Sequence, residues 1–211
     1  FRSVRVHGGF TLLAVAATAL AMTGTAAAVA SSPSVPHATF HHGLAVPQGT
    51  GVAAVCAKPA NPHLAQCLAE GVTVAPGSKQ VLTTKVYVNG LGPADIQDAY
   101  NLPADQGDGV TVAVVEAGNY IDIDKDLQVW RSNFGLPACT TSNGCFAKVN
   151  ESGQPSPLPA ANGGWDGEIS LDLDAVSALC PNCHILLVEA NSSGFSDLAA
   201  ADATADAMGA K

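Results

Sequence analysis

Residues 110–115, Val-Thr-Val-Ala-Val-Val, form an almost unbroken apolar and β-branched run with no polar side to turn to solvent. Such a run reads as a strand covered on both faces, as in a parallel sheet. Residues 184–190, His-Ile-Leu-Leu-Val-Glu-Ala, repeat the character, and residues 146–149 offer a shorter strand. Between these runs the period changes. Residues 122–134 place Leu127, Trp130, Arg131 and Phe134 at helical spacing. Residues 166–180 form the most regular helix, with Ile169, Leu171, Leu173, Val176 and Leu179 around much of its circumference and Pro181 to end it. Residues 196–208 are an alanine-rich helix for which Ser196 is the expected cap. A short helix at 95–100 follows Pro93 and stops before Pro103, and Gly107-Asp108-Gly109 is a turn. Strands alternating with helices predict an α/β fold with a mostly parallel sheet. Two or three strands make less than the usual sheet of that class, so the domain is expected to be incomplete in this chain.

The region before residue 91 has a different texture. Residues 72–74 and 81–88 read as short strands around the turn 75–78, and residues 84–88 alternate as a half-buried strand does. This stretch is either a small extension of the main domain or part of a pro-segment, and by itself it is too short to bury much core. Residues 31–51 are rich in Ala, Pro, Ser, Gly and His without a period and are expected to be flexible. Arg2 and Arg5, the apolar residues 10–22 and the small residues ending in Ala28-Val29-Ala30 follow the succession of a secretory signal peptide. A retained anchor is the alternative, but it needs about 20 apolar residues. Thr11, Thr23, Gly24 and Thr25 break up this run. The chain starts at Phe1 where Met would be expected. The organisation read from the sequence is therefore a signal peptide over 1–30, a flexible or short pro-segment over 31–90 and a main domain over 91–211. The product is expected to be secreted and extracellular, with no membrane association after signal cleavage.

Charge narrows the partners. The chain carries 9 basic and 18 acidic residues for a formal charge of −9, and every acid but Glu70 lies at or beyond Asp95. That surface repels phosphate backbones, which argues against nucleic acid. It loses charge as pH falls, which suits an acidic exterior. The six cysteines form three local pairs: Cys56 with Cys67, Cys139 with Cys145, and Cys180 with Cys183. An exported chain favours disulfides, nearest neighbours being the simplest pairing, although sequence leaves other connectivities and a four-thiolate metal site open.

Glu168 and Asp172 stand four residues apart in the helix over 166–180, so both carboxylates share one face. In a cleft, two such acids can share a proton and supply a general base with an acidic orienter at low pH. In solvent they are an ordinary acidic face near a helix amino terminus. Asp174 lies two residues further on and points elsewhere, which makes it a weaker candidate.

At these residues the chain resembles a known family. Gly164, Trp165, Glu168, Asp172 and Asp174, followed by residues 177–190 (Ser-Ala-Leu-Cys-Pro-Asn-Cys-His-Ile-Leu-Leu-Val-Glu-Ala), are similar to the catalytic-helix region of the sedolisin, or serine-carboxyl, peptidases of the secreted actinobacterial type. The likeness extends through residues 91–95, 99–103, 109–117 and 134–139, about the last 120 residues of the chain. It implies a subtilisin-like three-layer fold and a serine endopeptidase precursor acting on polypeptide substrates through an acyl-enzyme at acidic pH. Carried over, Glu168 is the general base and Asp172 holds it. The family's nucleophilic serine, in a Gly-Thr-Ser type motif, its oxyanion-hole Asp and its calcium site all fall later in the domain. The 211 residues are therefore expected to be inactive by themselves, monomeric and without a cofactor. Members often carry Asp where this chain has Glu116, at the end of the first core strand, and no role is assigned to that residue. The stretch before Leu91 is also much shorter than the folded pro-domains of many relatives.

Competing chemistry is weaker. His184 is expected to pack structurally, and none of His7, His37, His41, His42, His63 or His184 has a Gly-Thr-His setting. The His37, His41 and His42 cluster has poor metal geometry. Ser192 and Ser193 precede no nucleophile elbow and read as turn residues. Cys180 and Cys183 have redox spacing but follow a helix, where the dipole opposes thiolate formation, so a structural disulfide is favoured over a disulfide exchanger. A non-catalytic secreted protein that keeps a degenerate peptidase scaffold is the alternative function.

Overall fold

The computed structural model describes residues 51–80, 91–103 and 105–210. The signal-peptide segment, the histidine cluster and the expected strand at 81–88 lie outside the described residues. In chain order the elements are β1 (Gly51–Ala54), β2 (Glu70–Thr73), α1 (Pro93–Tyr100), β3 (Thr111–Ala117), α2 (Ile123–Asn133), β4 (Phe146–Asn150), α3 (Asp166–Leu179), β5 (His184–Ala190) and α4 (Phe195–Ala207).

A strand without a polar side must be covered twice, and β5 is. It lies at the centre of a parallel sheet of order β3-β5-β4. Every residue from Ile185 to Ala190 is buried. On one face Val114, Phe146, Ile185 and Leu187 pack against Ile123 and Leu127 of α2 and Ile169 and Leu173 of α3. On the other, Val149, Leu186 and Val188 meet Ala201 and Ala205 of α4. Those alanines are four residues apart, and their small side chains let that face of α4 lie close to the sheet. The described chain is thus a mixed α/β fold with helices on both faces of a parallel sheet. A separate antiparallel hairpin, β1 with β2, precedes them, registered from Gly51↔Thr73 to Ala54↔Glu70. No helix among the described residues is long and apolar enough to cross a membrane.

Three local expectations change. Phe134, at the end of α2, and Leu171 are exposed, and α3 buries Ile169, Leu173, Ser177 and Ala178 rather than most of its circumference. Ser196 does not cap α4: Gly194 occupies the cap position without a side-chain bond, and the Ser196 hydroxyl faces Asp197. His184 is exposed, its place in β5 secured only by its backbone, whose N–H donates to Val110 O at 2.8 Å. The reason is shared. Period alone names a helical face or a strand end, while neighbours outside the element decide how much of it is covered.

Three disulfides close the local pairs Cys56–Cys67, Cys139–Cys145 and Cys180–Cys183. Gly107 lies directly over the last of them, at φ +101, where an added Cβ would stand 2.3 Å from Cys180 Sγ. Both the positive φ and this close approach require glycine. The region is tied to α2 by Arg131, which is 1% exposed. Its guanidinium donates to Pro137 O at 2.7 Å and Pro181 O at 2.6 Å, joining the segment before the Cys139–Cys145 disulfide to the loop inside Cys180–Cys183.

Replacing Arg131 by Ala leaves two carbonyls without their donor and opens a cavity at the end of α2. The expected cost is about 3 kcal/mol, read as a lower urea midpoint with the disulfides intact.

Candidate functional site

In open α/β sheets the carboxyl ends of parallel strands are where loops and ligands gather. Here β3 and β5 each end on an acid inside an apolar run. Glu116 and Glu189 are partners in the register and are 3% and 0% exposed. A buried carboxylate must find a counter-charge, accept hydrogen bonds or hold its proton, and the two acids do this differently.

Glu189 is matched by Lys148, whose Nζ lies 3.7 Å from its Oε1, and Glu189 Oε1 also accepts the Tyr120 N–H at 3.2 Å. Lys148 Nζ donates in turn to Asn119 Oδ1 and Tyr120 O, both at 2.9 Å. The pair therefore holds the loop that follows β3. Burial raises the Glu189 pKa to about 7, with Lys148 and the Tyr120 amide pulling it back.

Among the described residues no cation meets Glu116. Burial first, then a hydrogen bond with Asp172 and the charges of Asp172 and Glu168, push its pKa up to about 9. A pKa raised that far keeps Glu116 neutral at pH 7. Its Oε2 meets no donor, as suits a neutral acid. The strand-end acid that had no role in the sequence reading is thus the residue against which Asp172 is set. The available signal was its place in Val-Val-Glu-Ala, an acid inside a run otherwise too apolar to reach water.

Glu168 and Asp172 both act on Glu116, so the acids of one α3 face and the end of β3 form one cluster. Glu168 sits at the start of α3, and its Oε2 accepts two main-chain N–H groups, Leu68 at 3.1 Å and Ala69 at 2.6 Å. Nothing local to α3 forecasts those partners, which lie 100 and 99 residues away in sequence.

Asp174 is separate from this group. With Ser170 it lines an open cleft of about 280 Å³ between α2 and α3, together with Asp126, Leu127 and Trp130. Burial raises its pKa to about 8, with a contribution from Asp126. Asp126 also accepts a hydrogen bond from the Tyr120 hydroxyl, and burial raises the pKa of that phenol. Burial likewise raises the Asp166 pKa, helped by Asp122 and Asp126. Ser170 and Asp174 differ from Glu168 and Asp172 by two positions, about 200° of helix, so the cleft opens on another side of α3.

Metal chemistry finds little purchase among the described residues. Cys56, Cys67 and Glu168 bring donor atoms within 4.8 Å of one another, but both sulfurs are spent in the disulfide. Cys180 and Cys183 are joined in a disulfide that follows α3, with Cys183 2% exposed and Cys180 half-buried.

No protein-family model matches the chain, and no curated protein matches it. Among solved structures, the chain is similar to Pseudomonas sedolisin, a serine-carboxyl proteinase complexed with two molecules of pseudo-iodotyrostatin. The TM-score is 0.45 at 21% identity, over 56% of this chain and 32% of that one. The chain thus spans about a third of the length of that structure.

The raised acid pKa values fix a direction for stability against pH. Between about 4.5 and 9, folded Glu116 holds a proton that the unfolded chain has released, so stability falls as pH rises through that window. Glu189 and Asp174 act in the same direction up to about 7 and about 8. Glu116→Gln keeps a donor for Asp172 but cannot ionise. It is expected to gain about 2 kcal/mol over the parent at pH 7, with the difference closing near pH 4, in urea unfolding across that range.

Proposed function

We propose that residues 91–211 are the amino-terminal part of a subtilisin-like, sedolisin-type serine endopeptidase domain, exported as a precursor and acting on polypeptides at acidic pH. The observation that supports this most is the cluster formed by Glu168, Asp172 and Glu116, where one face of α3 meets the carboxyl end of a parallel strand. The sequence likeness around Glu168, Asp172 and residues 177–190 adds to it.

In this reading Glu168 takes the proton of a serine hydroxyl as its oxygen attacks the peptide carbonyl. Asp172 holds Glu168 in place, and Glu116 holds Asp172 by donating a proton to it. The leaving amine takes the proton back from Glu168, and water then hydrolyses the acyl-enzyme with the same carboxylate as base. A carboxylate suits acid, where an imidazole base would already be protonated. The 211 residues contain no Gly-Thr-Ser run. The nucleophile, the oxyanion-hole acid and a calcium site are assigned to sequence beyond Lys211, and the fragment alone is inactive. The mature enzyme is an extracellular monomer.

One observation favours a second reading. Glu168 Oε2 is engaged by main-chain amides, as it would be in a secreted binding or structural protein that has lost catalysis. The downstream reading frame separates the two: continuation into a Gly-Thr-Ser segment supports the peptidase.

In the full-length protein, Glu168→Gln is expected to lower kcat for peptide hydrolysis at acidic pH by about 10³-fold or more while secretion is unchanged. An unchanged rate overturns the assignment.

A further inference from the structure

The cleft between α2 and α3 lies apart from the acid cluster and has no part in the proposed reaction. Ile123 and Leu127, each 1% exposed, give it an apolar base, and the half-buried Trp130 lines it beside them. Asp126 on α2 and Ser170 and Asp174 on α3 supply its polar groups. At about 280 Å³ it falls near the lower bound of ligand pockets, about 300 Å³, and has room for one side chain rather than a large cofactor.

These polar groups have acceptor capacity to spare. The Ser170 hydroxyl donates to Asp166 O at 2.8 Å, which leaves the Ser170 oxygen free to accept. Asp126 receives a bond from the Tyr120 hydroxyl on Oδ2, and its other oxygen remains. Burial and the charge of Asp126 raise the Asp174 pKa, and no donor or cation among the described residues counters them. A half-buried acid that shares an apolar cleft with a second acid, and has no counter-charge, gains from any cation that enters.

The occupant can be narrowed further. Asp126, Asp166 and Asp174 are not among the donors that gather within 4.8 Å of one another, which speaks against a shared metal ion. An apolar base beside an indole ring suits an aliphatic stem that ends in a cation. Acceptors arriving from two helices match the three divergent N–H donors of an ammonium better than the flat fork of a guanidinium, which pairs best with a single carboxylate.

We propose that this cleft is a docking site for a lysine side chain of a separate polypeptide, its ammonium held by Asp174, Asp126 and the Ser170 oxygen and its stem laid along Trp130 and Leu127. The site is independent of the peptidase reading, because Ser170 and Asp174 stand on another side of α3 from Glu168 and Asp172. The titratable groups around it are Asp126 on α2, Asp166 and Asp174 on α3, and Tyr120 from the loop after β3. A bound ammonium favours the ionised form of Asp174, whose pKa is about 8, so affinity is highest above that value and falls as the acid takes its proton.

The test is a titration of the 211-residue chain with Nα-acetyl-lysine methylamide, followed by the Trp130 indole resonance in NMR at about pH 9, where the ammonium is still charged. A saturable shift is expected, with an affinity at least about ten-fold above that of the norleucine analogue, which keeps the stem and lacks the ammonium. At about pH 6 the lysine probe should bind roughly five-fold more weakly or worse. Asp174→Asn should weaken binding by about ten-fold and Asp126→Asn by about three-fold, while Asp202→Asn, at an exposed position on α4, leaves it unchanged. Absence of a saturable shift overturns the site. So does equal binding of the norleucine analogue, which would be apolar contact alone, or equal weakening by Asp202→Asn and Asp174→Asn, which would be a diffuse acidic surface. An arginine analogue that binds more tightly than the lysine probe overturns the assignment of an ammonium. None of these outcomes bears on Glu168, so the site and the peptidase reading stand or fall separately.

Discussion

Glu116 is almost fully buried, and no cation among the described residues lowers its pKa. An ionised carboxyl there would lose its hydration without compensation, so the group is held neutral and needs an acceptor for its proton. α3 sets Asp172 beside Glu116 at the end of β3 while Ile169 and Leu173 stay against the sheet. Helical geometry then carries Glu168 to the same side one turn earlier. The proposed base thus lies on the same helix face as the acid that neighbours Glu116.

The neighbouring strand handles the same difficulty by other means. Glu189 lies beside Glu116 in register, and its charge is met by Lys148 from β4 and by the Tyr120 amide. One neutral acid and one paired acid can stand side by side at a strand end where two free carboxylates could not. The second solution also orders the loop after β3, because Lys148 bonds to Asn119 and Tyr120. Neutral buried acids are favoured at low pH, so the fold and the proposed chemistry suit the same conditions.

The connections that hold this end of the molecule are mostly long-range and made to main-chain atoms. Arg131 ties α2 to the carbonyls of Pro137 and Pro181. Glu168 ties α3 to the amides of Leu68 and Ala69. Main-chain atoms carry no sequence signal, since every residue offers the same carbonyl and almost every one the same N–H. Both side chains could be read in advance as belonging to a helix, and neither partner could.

Local order was legible in the sequence by itself. The apolar runs at 110–115 and 184–190, the helical spacing at 122–134 and 166–180, and the nearest-neighbour cysteine pairs all act over a few residues, where covalent geometry sets what can meet. The spacing of Glu168 and Asp172 belongs to this class, as does the α/β alternation. Tertiary structure alone decided that β5 lies between β3 and β4, that Leu171 and His184 face solvent, that Asp172 lies beside Glu116, and that the Leu68 and Ala69 amides reach Glu168. These outcomes depend on which distant surfaces exclude water together, a property of the packed chain that no local period encodes.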